Sequence, residues 1–257
     1  MLRGLYTGWT GMATEQKRLD IISNNIANAA TTGYKQENVT SQAFAQVLTD
    51  KIRDSSVNYR TQAIGHMSLG VKPGEVYTTY DQGSLRETGN TYDLAIQGKG
   101  FFQVNVTNKD GSVSTRYTRD GSFTITRDGF VVDADGNRLQ GANGDVQVPV
   151  DAANIAIDKA GRVVADNIVV DQITLVDFAD YDYLLKVGDV SYRPVDGATI
   201  IDADGQIEQG YLEMSNVQAV TEMVKLISIT RAYEANQKVI QSEDAIIDKA
   251  VNSVGRI

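Results

Sequence analysis

The sequence predicts an α+β protein, with a mainly antiparallel β central domain flanked by long N- and C-terminal helices that form a coiled-coil-like domain. Both ends lack proline and repeat apolar residues at three- and four-residue spacings, whereas the centre alternates apolar with polar residues and contains Asp-Gly pairs. The predicted division is an N-terminal assembly helix at 1–35, a connecting segment at 36–82, a β-rich central domain at 83–210 and a C-terminal assembly helix at 211–257.

The N-terminal helix is predicted from residues 1–30, which contain no proline. We expect it to end near Ala29, with Gly33 as the stop, because glycine tolerates the left-handed conformation that often ends a helix. Its apolar stripe has heptad spacing. The stripe consists of Leu2, Leu5, Trp9, Met12, Leu19 and Ile26.

Three glycines share another side of this predicted helix. Gly4, Gly8 and Gly11 would each destabilise an exposed helix by about 1 kcal/mol relative to alanine. Missing side chains allow a second helix to approach closely, as in other helical assemblies. The pattern therefore favours an assembly helix, with a helix packed only on its own domain as the alternative.

The C-terminal helix is predicted from residues 214–254, which contain neither proline nor glycine. A helix of about 40 residues would be about 60 Å long, and Ser215-Asn216 is its expected start. Asn236 and Glu243 interrupt the seam, either to set register or as surface residues. The apolar seam consists of Leu226, Ile229, Tyr233, Ile240, Ile247, Ala250 and Val254.

The centre of the chain has the two-residue period of antiparallel strands. The segment 123–132 is the clearest hairpin, with Arg-Asp-Gly at its middle. Residues 155–163, around Ala-Gly, and residues 173–178 indicate further strands. The segment 36–82 is rich in Ser, Thr, Gln and Asn and is expected to be partly helical and partly extended.

Composition excludes several classes of function. The chain has 257 residues, with 24 Lys+Arg against 33 Asp+Glu, and its net charge of −9 argues against a nucleic-acid partner. Its apolar runs are far shorter than the roughly 20 residues of a membrane-spanning helix, so an integral membrane protein is not expected. No cleavable signal peptide is indicated. The absence of cysteine excludes disulfides and thiolate ligands.

Catalytic and metal sites are not predicted. His66 is the only histidine, so a histidine metal site or a serine-histidine-aspartate triad lacks its parts. Residues 133–137 resemble a calcium loop superficially, but Asp133 and Asp135 are followed by a glycine two places too early, so a turn is favoured. No cofactor is expected. A pair of carboxylates for glycoside hydrolysis stays open.

The terminal and central motifs together resemble bacterial flagellar rod and hook proteins, most of all the distal rod type or its close relative. The N-terminal motifs are residues 2–6, Asn24-Asn25-Ile26-Ala27-Asn28 and Thr32-Gly33-Tyr34-Lys35. The central and C-terminal motifs are residues 83–85, 88–90, 93–96, 98–104 and 117–123, then Ser215-Asn216-Val217, Glu222-Met223 and residues 231–236.

This resemblance implies a structural subunit without enzymatic activity. Such a subunit would be exported by the flagellum-specific export apparatus and located in the basal body, outside the cytoplasm. It would polymerise helically with itself and with other rod and hook subunits to form the torque-transmitting shaft. Two alternatives are another extracellular coiled-coil protein, such as an adhesin or tail-fibre component, and an exported carboxylate-based hydrolase.

The residues expected at the assembly interface come from both helices. They are Leu2, Leu5, Trp9, Met12, Leu19, Ile26, Asn24, Asn25, Asn28, Leu226, Ile229, Tyr233, Asn236, Ile240, Ile247 and Val254.

Overall fold

A computed structural model describes residues 2–51, 62–107, 111–152 and 154–254. The chain folds as two compact units. Unit 1 consists of Met1–Ile26, Glu37–Thr78 and Ala219–Ile257, and unit 2 consists of Ala27–Gln36 and Thr79–Gln218.

Unit 1 combines two helices with a β-ribbon. Its strands pair antiparallel, β1 with β4 and β2 with β3, so this segment is one long hairpin. The described part of 36–82 therefore contains strands and no helix. The elements are α1 (Leu2–Ala27), β1 (Glu37–Ala43), β2 (Val47–Lys51), β3 (Gln62–Met67), β4 (Val71–Thr78), α2 (Ala219–Lys249) and a π-helical turn at Ala250–Val254.

Over its described residues, the regular elements of unit 2 are strands, apart from one 3₁₀ turn at Tyr181–Tyr183. Its strands are β5 (Leu85–Glu87), β6 (Leu94–Gln97), β7 (Phe101–Thr107), β8 (Val113–Thr118), β9 (Thr124–Ile125), β10 (Val131–Val132), β11 (Arg138–Gly141), β12 (Gly144–Asp145), β13 (Ile155–Ile157), β14 (Arg162–Ala165), β15 (Ile168–Gln172), β16 (Leu175–Phe178), β17 (Leu184–Val187), β18 (Ser191–Pro194), β19 (Ile200–Asp202), β20 (Gln206–Gln209) and β21 (Tyr211–Glu213).

The main sheet of unit 2 has the strand order β17-β18-β8-β7-β11-β10-β9, and β16 also pairs with β7. A second sheet has the order β13-β14-β15. The last two strands return to the start of the domain, because β20 pairs with β6 and β21 with β5. Unit 2 is therefore closed by residues that lie far apart in the sequence.

The expected hairpins are confirmed. Strand β9 pairs with β10, with Ile125 opposite Val131, and Gly129 in the loop between them has a φ of +84°. That left-handed conformation suits glycine, which has no Cβ to clash with the backbone. Strand β13 likewise pairs with β14 around the Ala-Gly turn.

Two apolar clusters fill unit 2. Alternate residues of β7 point to opposite sides, so Phe102 and Val104 enter one cluster and Phe101 enters the other. In the second cluster the rings of Phe101 and Tyr192 meet edge-on, with centroids 5.6 Å apart. The larger cluster consists of Leu94, Ile96, Phe102, Val104, Phe123, Val131, Leu139, Val146, Val148, Val163, Ala165, Ile173 and Ile207.

The predicted fold class is wrong in one respect. The protein is a mixture of helix and strand, but it is mainly β, with one helix at each end, and these helices do not form a coiled-coil domain. The helix α1 meets α2 through its glycines, whereas Trp9 of the predicted seam is 60% exposed. Glycines offer no knobs to pack into holes. The apolar residues of α1 therefore have heptad spacing but do not form the coiled-coil packing that this spacing predicts.

Both helix boundaries also differ from those predicted. The helix α1 ends at Ala27 rather than near Ala29, and α2 begins at Ala219 rather than at Ser215-Asn216. Neither helix, over the described residues, combines the length and the apolar character that a membrane span requires.

Candidate assembly site

The glycine side of α1 packs directly on α2 within unit 1. A Cβ placed on Gly4 would lie 2.6 Å from Oε1 of Glu243, and one on Gly8 would lie 2.9 Å from Cγ1 of Ile240. A Cβ on Gly11 would lie 2.9 Å from Nδ2 of Asn236. Residue numbers rise along α1 as those of its partners on α2 fall, so the two helices lie antiparallel. Each glycine allows a close approach, and an alanine there would force the facing side chain of α2 to move.

Asn25 fixes the other end of this helix pair. Its Nδ2 donates to the carbonyl oxygen of Glu37 (2.8 Å), and its Oδ1 accepts from the Glu37 backbone N–H (3.0 Å). The same Nδ2 lies 3.4 Å from Oε2 of Glu222 on α2. Asn25 and Glu222 are both fully buried. One carboxamide therefore joins α1, β1 and α2.

An apolar cleft opens beside the start of α1. Tyr6 and Trp9, which are 67% and 60% exposed, line it together with Phe44 and Leu69 of the ribbon. Arg3 lies at the same cleft, whose volume is about 300 Å³. Large exposed aromatic side chains are enriched at protein interfaces. The cleft is therefore one surface of unit 1 that a partner could cover.

A second exposed apolar surface follows the first two turns of α2. We call it the α2 stripe. Exposed side chains three and four residues apart lie on one helix face. Its members are Val220, Met223, Val224 and Ile227.

The predicted interface residues are mostly half-buried, and all of them except Asn28 belong to unit 1. Asn25 and Ile229 are buried, and Trp9 and Asn24 are exposed. Leu2 and Val254 belong to described helical segments, but their side chains lie outside the described residues. The half-buried members are Leu5, Met12, Leu19, Ile26, Asn28, Leu226, Tyr233, Asn236, Ile240 and Ile247.

Unit 2 contains a buried group of three charges, which we call the clasp. Oε1 of Glu213 accepts from Nζ of Lys35 (2.6 Å), and its Oε2 accepts from Arg119 (3.3 Å). Burial lowers the pKa of Lys35 below its ordinary value of 10.5, although the charge and hydrogen bond of Glu213 act to raise it. These side chains are almost completely inaccessible to water.

Gly33 and Asn216 have roles that the sequence did not indicate. A Cβ on Gly33, whose φ is +67°, would overlap the backbone of Arg119 and Asp120, so Gly33 permits a chain contact and does not stop α1. Asn216 accepts from the backbone N–H of Gln36 (2.8 Å) and donates to the carbonyl oxygens of Thr79 (2.8 Å) and Asp81 (3.2 Å). Helix-start patterns could not reveal these partners.

The weaker candidates from the sequence are turn and surface residues. His66 is exposed on β3. Oδ1 of Asp133 accepts from the backbone N–H groups of Asp135 (2.9 Å) and Asn137 (2.8 Å), which is a turn geometry. Within the described ranges, no group of three or more His, Asp or Glu side chains could hold a metal ion.

Comparisons with known proteins cover nearly the whole chain. Three family models match: "Flagella basal body rod protein" over residues 5–35, "Flagellar hook protein FlgE/F/G D1 domain" over 95–165 and "Flagellar basal body rod FlgEFG protein C-terminal" over 208–253. Together they include most of α1, all of α2 and about half of unit 2.

Individual relatives agree with these family models. The chain is 38% identical to the flagellar basal-body rod protein FlgG of Agrobacterium fabrum, over 95% of this chain and 96% of the relative. It is 35% identical to FlgG of Bacillus subtilis, over 98% and 99%. It is 36% identical to the flagellar basal-body rod protein FlgF of Caulobacter vibrioides over the full length of both.

Proposed function

The chain belongs to the flagellar basal-body rod protein family and is a structural subunit of the rod, and we propose that it polymerises helically through surfaces of α1 and α2. We assign it to the distal rod type, where its polymer would transmit torque. Its partners would be further copies and other rod or hook subunits. The flagellum-specific apparatus would export it, and it would have no catalytic role.

The observation that carries this proposal is the apolar exposure of unit 1. The apolar cleft and the α2 stripe are different surfaces of one unit. A contact between two different surfaces of identical subunits repeats without closing and generates a helical filament when its rotation does not close a ring. Two such surfaces therefore support the assembly of copies into a shaft better than a closed dimer.

The proposal divides the apolar residues of the helices into two groups, those within the subunit and those between subunits. Ile240 packs beside Gly8 in the same chain, so it supports the α1–α2 pair. Ile227, which is 53% exposed, presents its side chain outward instead. We propose that the half-buried residues hold the two helices together and that the α2 stripe and Trp9 contact neighbouring subunits.

The test compares Ile227→Asp with Lys249→Asp, a change of an exposed residue outside the stripe on the same helix. An aspartate at an apolar contact between subunits is left without a partner, which costs several kcal/mol at every copy. We expect Ile227→Asp to abolish completed basal bodies in electron micrographs while the purified chain keeps its circular dichroism spectrum. The control should assemble.

Two outcomes would decide against the proposal. Normal basal bodies with Ile227→Asp and with Trp9→Asp would remove these surfaces from assembly. Loss of the circular dichroism spectrum in Ile227→Asp would show instead that the stripe supports the subunit's own fold.

A further inference from the structure

The clasp in unit 2 binds a single carboxylate from three sides. Besides Lys35 and Arg119, the Gly83 backbone N–H donates to Oε1 of Glu213 at 2.9 Å. Nζ of Lys35 also donates to the carbonyl oxygen of Asp81 at 2.8 Å. The charged side chains are between 0% and 4% exposed. A charge that lost its partner there would therefore lie away from bulk water.

The partners in the clasp come from opposite ends of the chain. Lys35 follows α1, and Glu213 ends β21, so the two are 178 residues apart in the sequence. The Gly33 backbone N–H adds a hydrogen bond of 2.8 Å to the carbonyl oxygen of Glu213. The segment that carries Lys35 belongs to unit 2 and forms no strand there. Individual hydrogen bonds and ion pairs attach it instead.

Without Glu213, the clasp would contain two cations and no anion. Lys35 could lose its proton, but a guanidinium remains charged at any ordinary pH, so Arg119 would stay a buried cation. Its Nε already has no hydrogen-bond partner, and its guanidinium carbon lies 5.2 Å from the centre of the Phe101 ring. Removing one partner from a buried ion pair is strongly destabilising because the other charge is left uncompensated.

We propose that unit 2 can fold into its closed form only when the segment that carries Lys35 and the segment that carries Glu213 are both in place. The interior around Phe101 and Arg119 would stay open until Lys35 and Glu213 meet. If the chain passed through a channel from either end, unit 2 would then remain unfolded until most of the chain had left the channel. This use depends on the proposed export, whereas the conditional closing depends only on the contacts in unit 2.

The equilibrium test uses the full-length chain with Glu213→Gln, which keeps the size of the side chain and removes its charge. We expect the unfolding equilibrium constant of unit 2, followed by urea titration and hydrogen exchange, to rise at least about 100-fold. Glu208→Gln is the control, because Glu208 lies on the preceding strand, β20, and pairs with the exposed Lys159 at 2.6 Å. The control should change this constant less than about 5-fold.

A second variant separates charge from shape. Adding Lys35→Met to Glu213→Gln removes one of the two uncompensated cations. We therefore expect the unfolding equilibrium constant of the double variant to be about 10-fold or more below that of Glu213→Gln. A double variant less stable than Glu213→Gln would overturn the charge argument. Equal effects of Glu213→Gln and Glu208→Gln would overturn it as well.

The order of closing is tested by refolding the unmodified chain under pulsed hydrogen exchange. We expect the amides of β7 and β8 to become protected in the same step as the amides of Gly33 and Gly83. Protection of β7 and β8 at least ten times earlier would overturn the proposal. All these measurements use purified protein, so a failure of rod assembly or export would leave their outcome unchanged.

Discussion

The core of unit 2 and the proposed contact surfaces of unit 1 bury apolar residues to very different degrees. Phe101, Phe102 and Leu139 of unit 2 are inaccessible to water, whereas Trp9 and Val220 of the helices are 60% and 76% exposed. Unit 2 also contains a buried carboxylate, Glu213, that pairs with both Lys35 and Arg119. Unit 2 therefore has a closed apolar core of its own, although Ile168 on its surface is 70% exposed. The exposed apolar residues of the helices support the proposal that the helices contact other subunits.

The largest expected effect is in the interior of unit 2. Phe102→Ala removes a fully buried ring that meets Phe123 edge-on, with centroids 5.3 Å apart. We expect unit 2 to lose about 3–5 kcal/mol of unfolding free energy in a urea titration, because a cavity remains. Val113→Ala on β8, where the side chain is 63% exposed, is the control. A loss below about 1 kcal/mol would mean that this core can collapse around the cavity.

A smaller effect is expected at the glycine contact between α1 and α2. Gly8→Val places a branched side chain against Ile240, and we expect a loss of about 1–3 kcal/mol in the stability of the helix pair. Intrinsic helix propensity acts in the opposite direction, because valine is a better helix former than glycine.

The matched control for this contact is Ala13→Val, at an exposed position of α1. Helix content and its thermal loss are measured by circular dichroism. Greater helix stability in Gly8→Val than in the unmodified chain would show that propensity dominates and that the close approach is unimportant. Unit 2 should melt unchanged in both variants.

The smallest expected effect is a pH dependence within unit 2. Burial, together with the hydrogen bond that Tyr181 donates to Asp177 (2.9 Å), raises the pKa of Tyr181 from 10.0 to about 12. A raised pKa in the folded state stabilises the protein below pH 10, and this contribution is lost as the pH rises through about 12. We expect Tyr181→Phe to reduce the loss of stability in that window.

The matched control for the titration is Tyr183→Phe, because Tyr183 is an exposed neighbour in the same turn. Urea titrations at a series of alkaline pH values give the comparison. An identical alkaline slope in Tyr181→Phe and the unmodified chain would contradict the assignment of this contribution to Tyr181.

The sequence predicted what depends on neighbouring residues. The alternating pattern and the Arg-Asp-Gly turn of 123–132 correctly predicted a hairpin, because strand pairing there joins residues a few positions apart. The end motifs identified the rod and hook family. Both signals are local, and each needs only the residues that carry it.

Two kinds of structural fact could not be predicted. The seam spacing and the glycine spacing in α1 are both helical, so periodicity alone could not decide which side meets α2. Glu213 lies 178 residues from Lys35 in the sequence, and the partners of Asn216 lie at least 135 residues from it. A segment without alternation, such as 32–36, therefore gave no sign of its place in a β domain.

The carboxamide of Asn216 also makes unit 2 sensitive to chemical ageing. Deamidation would replace its Nδ2 donor, now bound to the carbonyl oxygens of Thr79 and Asp81, with a second carboxylate oxygen. An aspartate can still accept from the Gln36 backbone N–H, but it would repel both carbonyls. The Thr79 backbone N–H also donates to the carbonyl oxygen of Gln36 (2.8 Å), so deamidation would weaken the junction of these three segments over the lifetime of the rod without removing it.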